Sequence, residues 1–318
     1  MINVISMSGG KDSTATACVG IVQEAENQIH VFADTGHEHP ATYEYLDYLE
    51  SALGIFIRHI KADFALEIEK KRKRLSGFLI NDEARIKSGW SIEAIERALS
   101  ILHPTGNPFL DLCLWKGRFP STKARFCTPE LKVKPIFEQI FIPLLDQGEM
   151  VLSWQGVRRD ESLDRRYLPE CDEVGGGLFN YRPILKWRVD SVFEAHAFMG
   201  IKPNPLYTQG CGRVGCMPCV NASKDELAEI SFRFPEEIDR VREMERLTSL
   251  ASRRQSATFF PAVNDPTVSS KDIITPETHG IDRMVQWSRT ERGGRKASLI
   301  TLAQDFTACK SSYGLCEG

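Results

Sequence analysis

The chain has 318 residues, 42% of them apolar, enough for a buried core in one large or two ordinary domains. Forty basic residues against 43 acidic ones leave a net charge of −3, which excludes a whole-protein field that draws the chain to nucleic acid or membrane. Any such contact must come from local patches. No apolar run approaches the ~18 residues of a membrane span, and no basic-then-apolar targeting stretch opens the sequence, so the expected location is the cytoplasm. Nine cysteines, an odd and clustered set, suit metal or reactive thiols in a reducing compartment better than a disulfide framework.

In chain order, β-type and α-type patterns alternate. "MINVISM" is a short β-branched run, and "DSTATACVGIVQEA" carries a helical stripe through Ala17, Val19, Ile21 and Val22. "IHVFAD" is a second strand ending at Asp34, "ATYEYLDYLESALG" a helix stopped by Gly54, and "FIRHIK" a third strand. Residues 63–120 break the rhythm with charged helices and the Pro/Gly-broken "HPTGNPF", which marks an insertion. "PELKVKPIFEQIFIPLLDQG" then reads as a helix before the strand "MVLSWQGV". This βαβα order predicts a doubly wound parallel sheet in a nucleotide-binding domain over residues 1–234, followed by a mostly helical region and tail over 235–318.

The loop "SGGKDS", Ser8 to Ser13, lies between the first strand and the first helix. Paired glycines there let the backbone turn tightly and aim N–H groups at an anion that the helix dipole also favours, so the loop is a phosphate cradle. It is not a Walker loop: Ile5 occupies the first glycine position, and Asp12 follows Lys11. "ADTG" places Asp34, Thr35 and Gly36 at the C-terminal edge of strand two, where open α/β sheets bind ligands. "WQGVRRDESLDRR" puts Arg158, Arg159, Arg165 and Arg166 after another strand, as fork-shaped donors for phosphate or sulfate.

Ser-Gly-Gly-Lys-Asp-Ser resembles the PP-loop of the ATP pyrophosphatase superfamily. With "ADTGHEHP", "WQGVRRDE" and "RFCTPELKVKP", residues 2–225 look like its phosphoadenosine phosphosulfate (PAPS) reductase branch. The resemblance implies an adenine nucleotide alpha hydrolase-type fold and an adenine nucleotide attacked at its α-phosphate. Ser8, Gly9, Gly10, Lys11, Asp12 and Ser13 would then cradle ATP, with Asp34, Thr35, Gly36 and Gly156 around them. Lys11 would neutralise charge between the α- and β-phosphates, Asp12 or Asp34 would hold magnesium, and Arg158 and Arg159 would clamp the activated phosphate.

"QGCGRVGCMPCVNASKDE" spaces Cys211, Cys216 and Cys219 as C-x4-C-x2-C, and three thiolates want a fourth. Cys127 is the best candidate, set directly before a helix start with Thr128 as its expected cap and Pro129 in the first turn. Four soft thiolates suit tetrahedral zinc or a 4Fe-4S cube, and the resemblance favours the cluster. Cys18 and Cys113 read as core, and Cys171 as a loop residue. Cys309 and Cys316, in a Ser/Gly-containing tail, are either incidental thiols or a swinging persulfide carrier.

His37 and His39 default to the surface. "WKGRFPSTKARFCTPELKVK" interleaves cations with Trp115, Phe119 and Phe126, which suits nucleic acid or equally a small phosphosulfate nucleotide. "EKKRKR" over residues 69–74 reads as a solvated helix face.

Three functions compete. The first is an ATP pyrophosphatase that adenylylates a substrate for sulfur transfer, as in DNA phosphorothioation or tRNA thiolation, with a cysteine desulfurase as donor. The second is a sulfonucleotide reductase, and the third a non-catalytic nucleotide-binding module. The intact loop lysine and both loop serines favour the first. The ending "YGLCEG" lacks the Glu-Cys-Gly-x-His segment that the resemblance implies for reductases, and no Cys-Cys pair is present.

Overall fold

The computed structural model describes residues 1–261, 274–290, 313 and 315. Six strands form one sheet in the order β3-β2-β1-β4-β6-β5. They are β1 (Ile2–Met7), β2 (Gln28–Asp34), β3 (Ile57–Lys61), β4 (Val151–Trp154), β5 (Cys171–Gly175) and β6 (Leu178–Tyr181). All neighbours pair in parallel except β5 and β6. The expected doubly wound α/β architecture is present. No helix among the described residues is long and apolar enough to cross a membrane.

Strand alternation decides which face each residue covers. Ile5, Met7 and Phe32 pack with Ala17 and Cys18 of α1 (Lys11–Val22) and Tyr45, Leu46 and Leu49 of α2 (Pro40–Leu53). Val4, Val31 and Ala33 face the other way, onto Ile140 and Phe141. Those two belong to a helical run in which π turns (Pro129–Val133, Phe137–Phe141) alternate with the short α7 (Lys134–Ile136) and α8 (Ile142–Asp146). Pro135 and Pro143 each remove a backbone donor inside this run, which its irregular hydrogen bonding accommodates. Helical structure already includes Cys127 and Thr128, and Thr128 makes no side-chain cap bond, so the expected cap is absent. Gly54 ends α2 as expected, at φ 65°.

The insertion folds as α3 (Ala65–Ile80), α4 (Asp82–Ser88), α5 (Ile92–Ile101) and α6 (Pro108–Lys116). Its apolar residues do not close on themselves. Ile68, Leu75, Ile95 and Leu112 share a core with Leu227 and Ile230 of α10 (Lys224–Arg233) and Val241 and Met244 of α11 (Pro235–Ala251). The solvated reading of residues 69–74 fails at Lys71, which is buried and donates to the Leu114 and Ala251 carbonyls at 2.6 and 2.8 Å. A lysine amid helix ends can satisfy otherwise orphaned carbonyls, which periodicity alone does not reveal.

One further correction follows from the sheet. Cys171 lies in edge strand β5 rather than a loop, in a hairpin turned by Gly175, Gly176 and Gly177, all at positive φ. The β5 run "CDEVG" is mostly exposed and carries no apolar alternation, so only its glycine turn signals a hairpin. Cys18 and Cys113 are core, as expected.

Candidate active site

The chain reverses direction across the sheet between β1 and β4, opening a crevice beyond their C-terminal ends. There lies a cavity of 1040 Å³ lined by Ser8, Gly10, Lys11, Asp12, Ser13, Gly156 and Arg158, with Arg125, Lys132, Arg165, Tyr207, Arg213 and Tyr313 completing the wall.

Gly9, at φ 67°, makes the turn out of β1, and a side chain there would meet the Thr42 methyl at 2.9 Å. Gly10 caps α1 with no side-chain bond, leaving the helix dipole facing the crevice. The Ser13 hydroxyl accepts from Ser8 N at 3.1 Å and donates to Gly10 O at 3.0 Å, so it fixes the loop's shape. The Tyr207 hydroxyl accepts from Lys11 N at 2.8 Å, and His196, on α9 (Val189–Phe198), contacts Lys11 O at 2.8 Å through Nε2. Gly156 admits the loop after β4, because a Cβ there would lie 2.9 Å from backbone atoms of Asp12 and Ser13.

Charge in the crevice is organised around Asp12. One oxygen lies 2.8 Å from Lys11 Nζ, and the other accepts from Arg158 Nε at 2.5 Å. Burial works against the Arg158 guanidinium, but Asp12, Asp160 and Glu161 outweigh it and hold it protonated. Lys11 Nζ also stands 5.8 Å from the centre of the Tyr207 ring and 5.2 Å from that of Tyr313. Arg125, Lys132 and Arg213 form no salt bridge among the described residues, which leaves three cations for an anionic ligand.

Other expected site residues serve elsewhere. Asp34 is not among the lining residues: it accepts from Gly36 N at 2.8 Å and Tyr43 Oη at 2.7 Å and pairs with Lys61 at 2.9 Å. Burial raises the Asp34 carboxyl, but Lys61, Tyr43 and Gly36 together pull it below its ordinary value. Arg159 also lies outside the cavity wall, and its guanidinium donates to Leu168 O at 2.9 Å. The Gly36 carbonyl accepts from Asn107 Nδ2 at 2.6 Å, and Thr35 Oγ1 donates to the Glu38 carboxylate at 2.8 Å.

Glu38 leads to the thiols. It is buried, pairs in an isolated bridge with Cys216, and lies 3.9 Å from the Cys216 sulfur. His37 is fully buried rather than on the surface: its ring stacks on Phe109 at 4.2 Å, and Nε2 lies 3.0 Å from Pro218 O. Burial foremost, then Arg240, pushes its pKa down to about 3, so it is a neutral strut holding the cysteine loop. His39 caps α2 by accepting from Ala41 N.

Cys127, Cys216 and Cys219 share one electrostatic neighbourhood with Lys132. Burial disfavours the Lys132 ammonium, but Cys216, Glu38, Cys219 and Cys127 more than compensate and raise its pKa. Burial pushes the Cys216 thiol up to about 12, with Glu38 adding to the rise. Burial and Cys219 likewise raise Cys127, against the expectation that a helix start lowers it. Burial raises Cys211 to about 12 beside Glu226, Arg233 and Glu229. Cys127, Cys216 and Cys219 thus act on one ammonium, and thiolates are soft donors of the kind a thiophilic metal takes. Among the described residues no three metal-ligating side chains converge closely enough to hold one as placed. Cys309 and Cys316 lie outside the described residues.

Sequence reading missed Glu38, Tyr207 and Arg213. Arg213 carried a signal, a cation between two spaced cysteines. Tyr207 carried none, since it meets Lys11 across 196 positions.

The chain is 50% identical over 325 residues to the "uncharacterized 37.8 kDa protein in gpa 5′ region" of Escherichia phage 186, covering 99% of this chain and 97% of that one. It is 31% identical over 129 residues to adenosine 5′-phosphosulfate reductase of Rhizobium meliloti, 40% of this chain and 46% of that one. A PAPS reductase from Candida auris, solved as a phosphate complex, aligns at 15% identity and a TM-score of 0.41 over 68% of this chain and 81% of that one. The phosphoadenosine phosphosulfate reductase domain matches residues 2–222, more than half of the sequence, and the chain belongs to that family.

Proposed function

We propose that this chain is an ATP pyrophosphatase of the PAPS reductase family that adenylylates an acceptor for sulfur transfer, with nucleic-acid thiolation such as DNA phosphorothioation as the reaction. One observation carries the reading: Ser8, Gly10, Lys11, Asp12 and Ser13 of the loop line a cavity whose wall also includes Lys132, and Lys132 feels the charge of three thiols. Phosphate and sulfur chemistry thus meet at one side chain.

In this mechanism the α1 N-terminus and Lys11 hold the pyrophosphate, while Arg158 and Arg213 take the α-phosphate oxygens. An acceptor oxygen attacks the α-phosphorus, the bond to the β-phosphate bridge breaks, and pyrophosphate leaves into the loop. Lys11 and the helix dipole stabilise the charge that develops on the leaving group. Magnesium would be held through Asp12, the one carboxylate of the loop. Cys127, Cys216, Cys219 and Cys211 would hold a 4Fe-4S cluster or zinc, which would supply a thiophilic surface for sulfide. A cysteine desulfurase would deliver the sulfur.

Sulfonucleotide reduction is the second reading, favoured by the reductase name of the Rhizobium meliloti relative. Calorimetry with magnesium ATP and with PAPS separates the two. Binding of ATP in preference to PAPS is expected. Tight PAPS binding with none for ATP supports the reductase instead.

A further inference from the structure

A second pocket of 340 Å³ lies between the insertion and the end of α11, away from the loop of β1. Half of its twelve lining residues are cations, and none is acidic. Lys71 forms its buried floor, and Arg74 and Arg254 stand exposed at its walls. Such convergence of like charge costs stability unless an anion occupies it.

Neutralisation from within the described residues is slight. Of the pocket's cations Glu130 approaches Lys116 alone, at 3.4 Å, while pairing more closely with Lys134 at 2.7 Å, and among the described residues neither Arg74 nor Arg254 forms a salt bridge or hydrogen bond. Burial foremost, then Arg74, pushes the Lys71 pKa down to about 7. Its ammonium uses two N–H groups on carbonyls and keeps a third. Two indoles join the wall. Trp115 is covered by Phe64 at 5.6 Å and by the Lys116 ammonium at 3.5 Å, whereas half-buried Trp90 makes no ring contact among the described residues. Trp90 packs against the core that the insertion shares and also lines this pocket, where its indole can take a stacked base.

The surroundings argue for a chain of phosphates rather than one. Arg118 and Lys116 lie over Phe126, at 5.3 and 6.0 Å from its ring centre, and the adjacent Arg125 lines the nucleotide cavity. Cations and an aromatic ring thus continue from one pocket toward the other. A compact pocket with a single open indole suits an unpaired base and leaves no room for a duplex.

We infer that this pocket binds single-stranded nucleic acid, with Lys71, Arg74 and Arg254 on the phosphodiester backbone and a base stacked on Trp90. The inference deepens the nucleic-acid part of the proposed function, and binding is measured without ATP so that either can fail alone. The test is fluorescence anisotropy of the full chain with fluorescein-labelled oligo-dT and oligo-U of about 20 nucleotides, and with a duplex of equal length, across a salt series.

Either single strand is expected to bind more tightly than the duplex. The double variant Arg74→Ala/Arg254→Ala should weaken binding about tenfold or more and reduce the log–log salt slope by about 0.7 for each cation removed. Trp90→Ala should weaken binding at least about fivefold with little change in that slope. Circular dichroism confirms folding, which is not at stake for two exposed arginines. Absence of binding by the parent chain at low salt, duplex binding as tight as single-strand binding, or an unchanged affinity in the folded double variant would each overturn the inference.

Discussion

Lys11 illustrates how a short motif becomes a site. Its backbone is held by Tyr207 and contacted by His196, so the side chain can be removed without releasing the loop. Lys11→Ala is expected to reduce AMP formation from ATP by about 10²–10³, the usual scale for one lost electrostatic contact to developing charge, with an unaltered melting curve. Gly156→Ala should behave differently. Its Cβ would lie 2.9 Å from the backbone of Asp12 and Ser13, so both nucleotide affinity and melting temperature should fall, as calorimetry and thermal unfolding would report. At the thiols, elemental analysis of anaerobically purified protein should find iron with sulfide, and Cys127→Ser, Cys216→Ser or Cys219→Ser should strip it. Stoichiometric zinc without sulfide would contradict that expectation. The loop was legible because its chemistry is written in adjacent letters. Glu38 was not, because its meaning comes from Cys216, 178 positions away.

At the scale of elements, the parallel strands and α1 and α2 were readable from period and punctuation, whereas the β5–β6 hairpin and the role of the insertion were not. In the insertion only the run at residues 69–74 reads as solvated, because its charges hide the buried place of Lys71. The apolar stripe of the insertion helices completes its core with α10 and α11, more than a hundred residues later. Glu245 of α11 joins this assembly to the rest, accepting from Phe259 N at 2.7 Å and from Ile281 N, at the start of the helix Ile281–Ser288, at 2.9 Å. Burial raises its pKa to about 7, partly opposed by those two N–H bonds. The folded state therefore binds a proton more tightly than the unfolded one. The associated stability is fully present below the ordinary carboxylate value of about 4.5 and is lost as pH rises through about 7. Melting temperature measured between those limits should show this falling contribution, and Glu245→Gln, which keeps an acceptor oxygen but cannot ionise, should remove it.

For the whole molecule, the near-neutral charge hides two separate basic cavities, one at the sheet crevice and one beneath the insertion. Composition could exclude a global field but could not locate these patches, since each collects cations from segments far apart in the chain. The crevice was foreseeable because β1 and β4 must part where the winding reverses, and the phosphate loop follows β1 directly. Its partners across the crevice, Arg213 and Tyr207, depend on how the cysteine loop folds back. The central claim is that this crevice cleaves ATP between its α- and β-phosphates. Mass spectrometry of nucleotide products after anaerobic incubation with magnesium ATP, or with PAPS and a thiol reductant, tests it most directly. AMP with pyrophosphate from ATP, lost in Lys11→Ala, is the predicted result; sulfite with adenosine bisphosphate from PAPS, and ATP left intact, would contradict it.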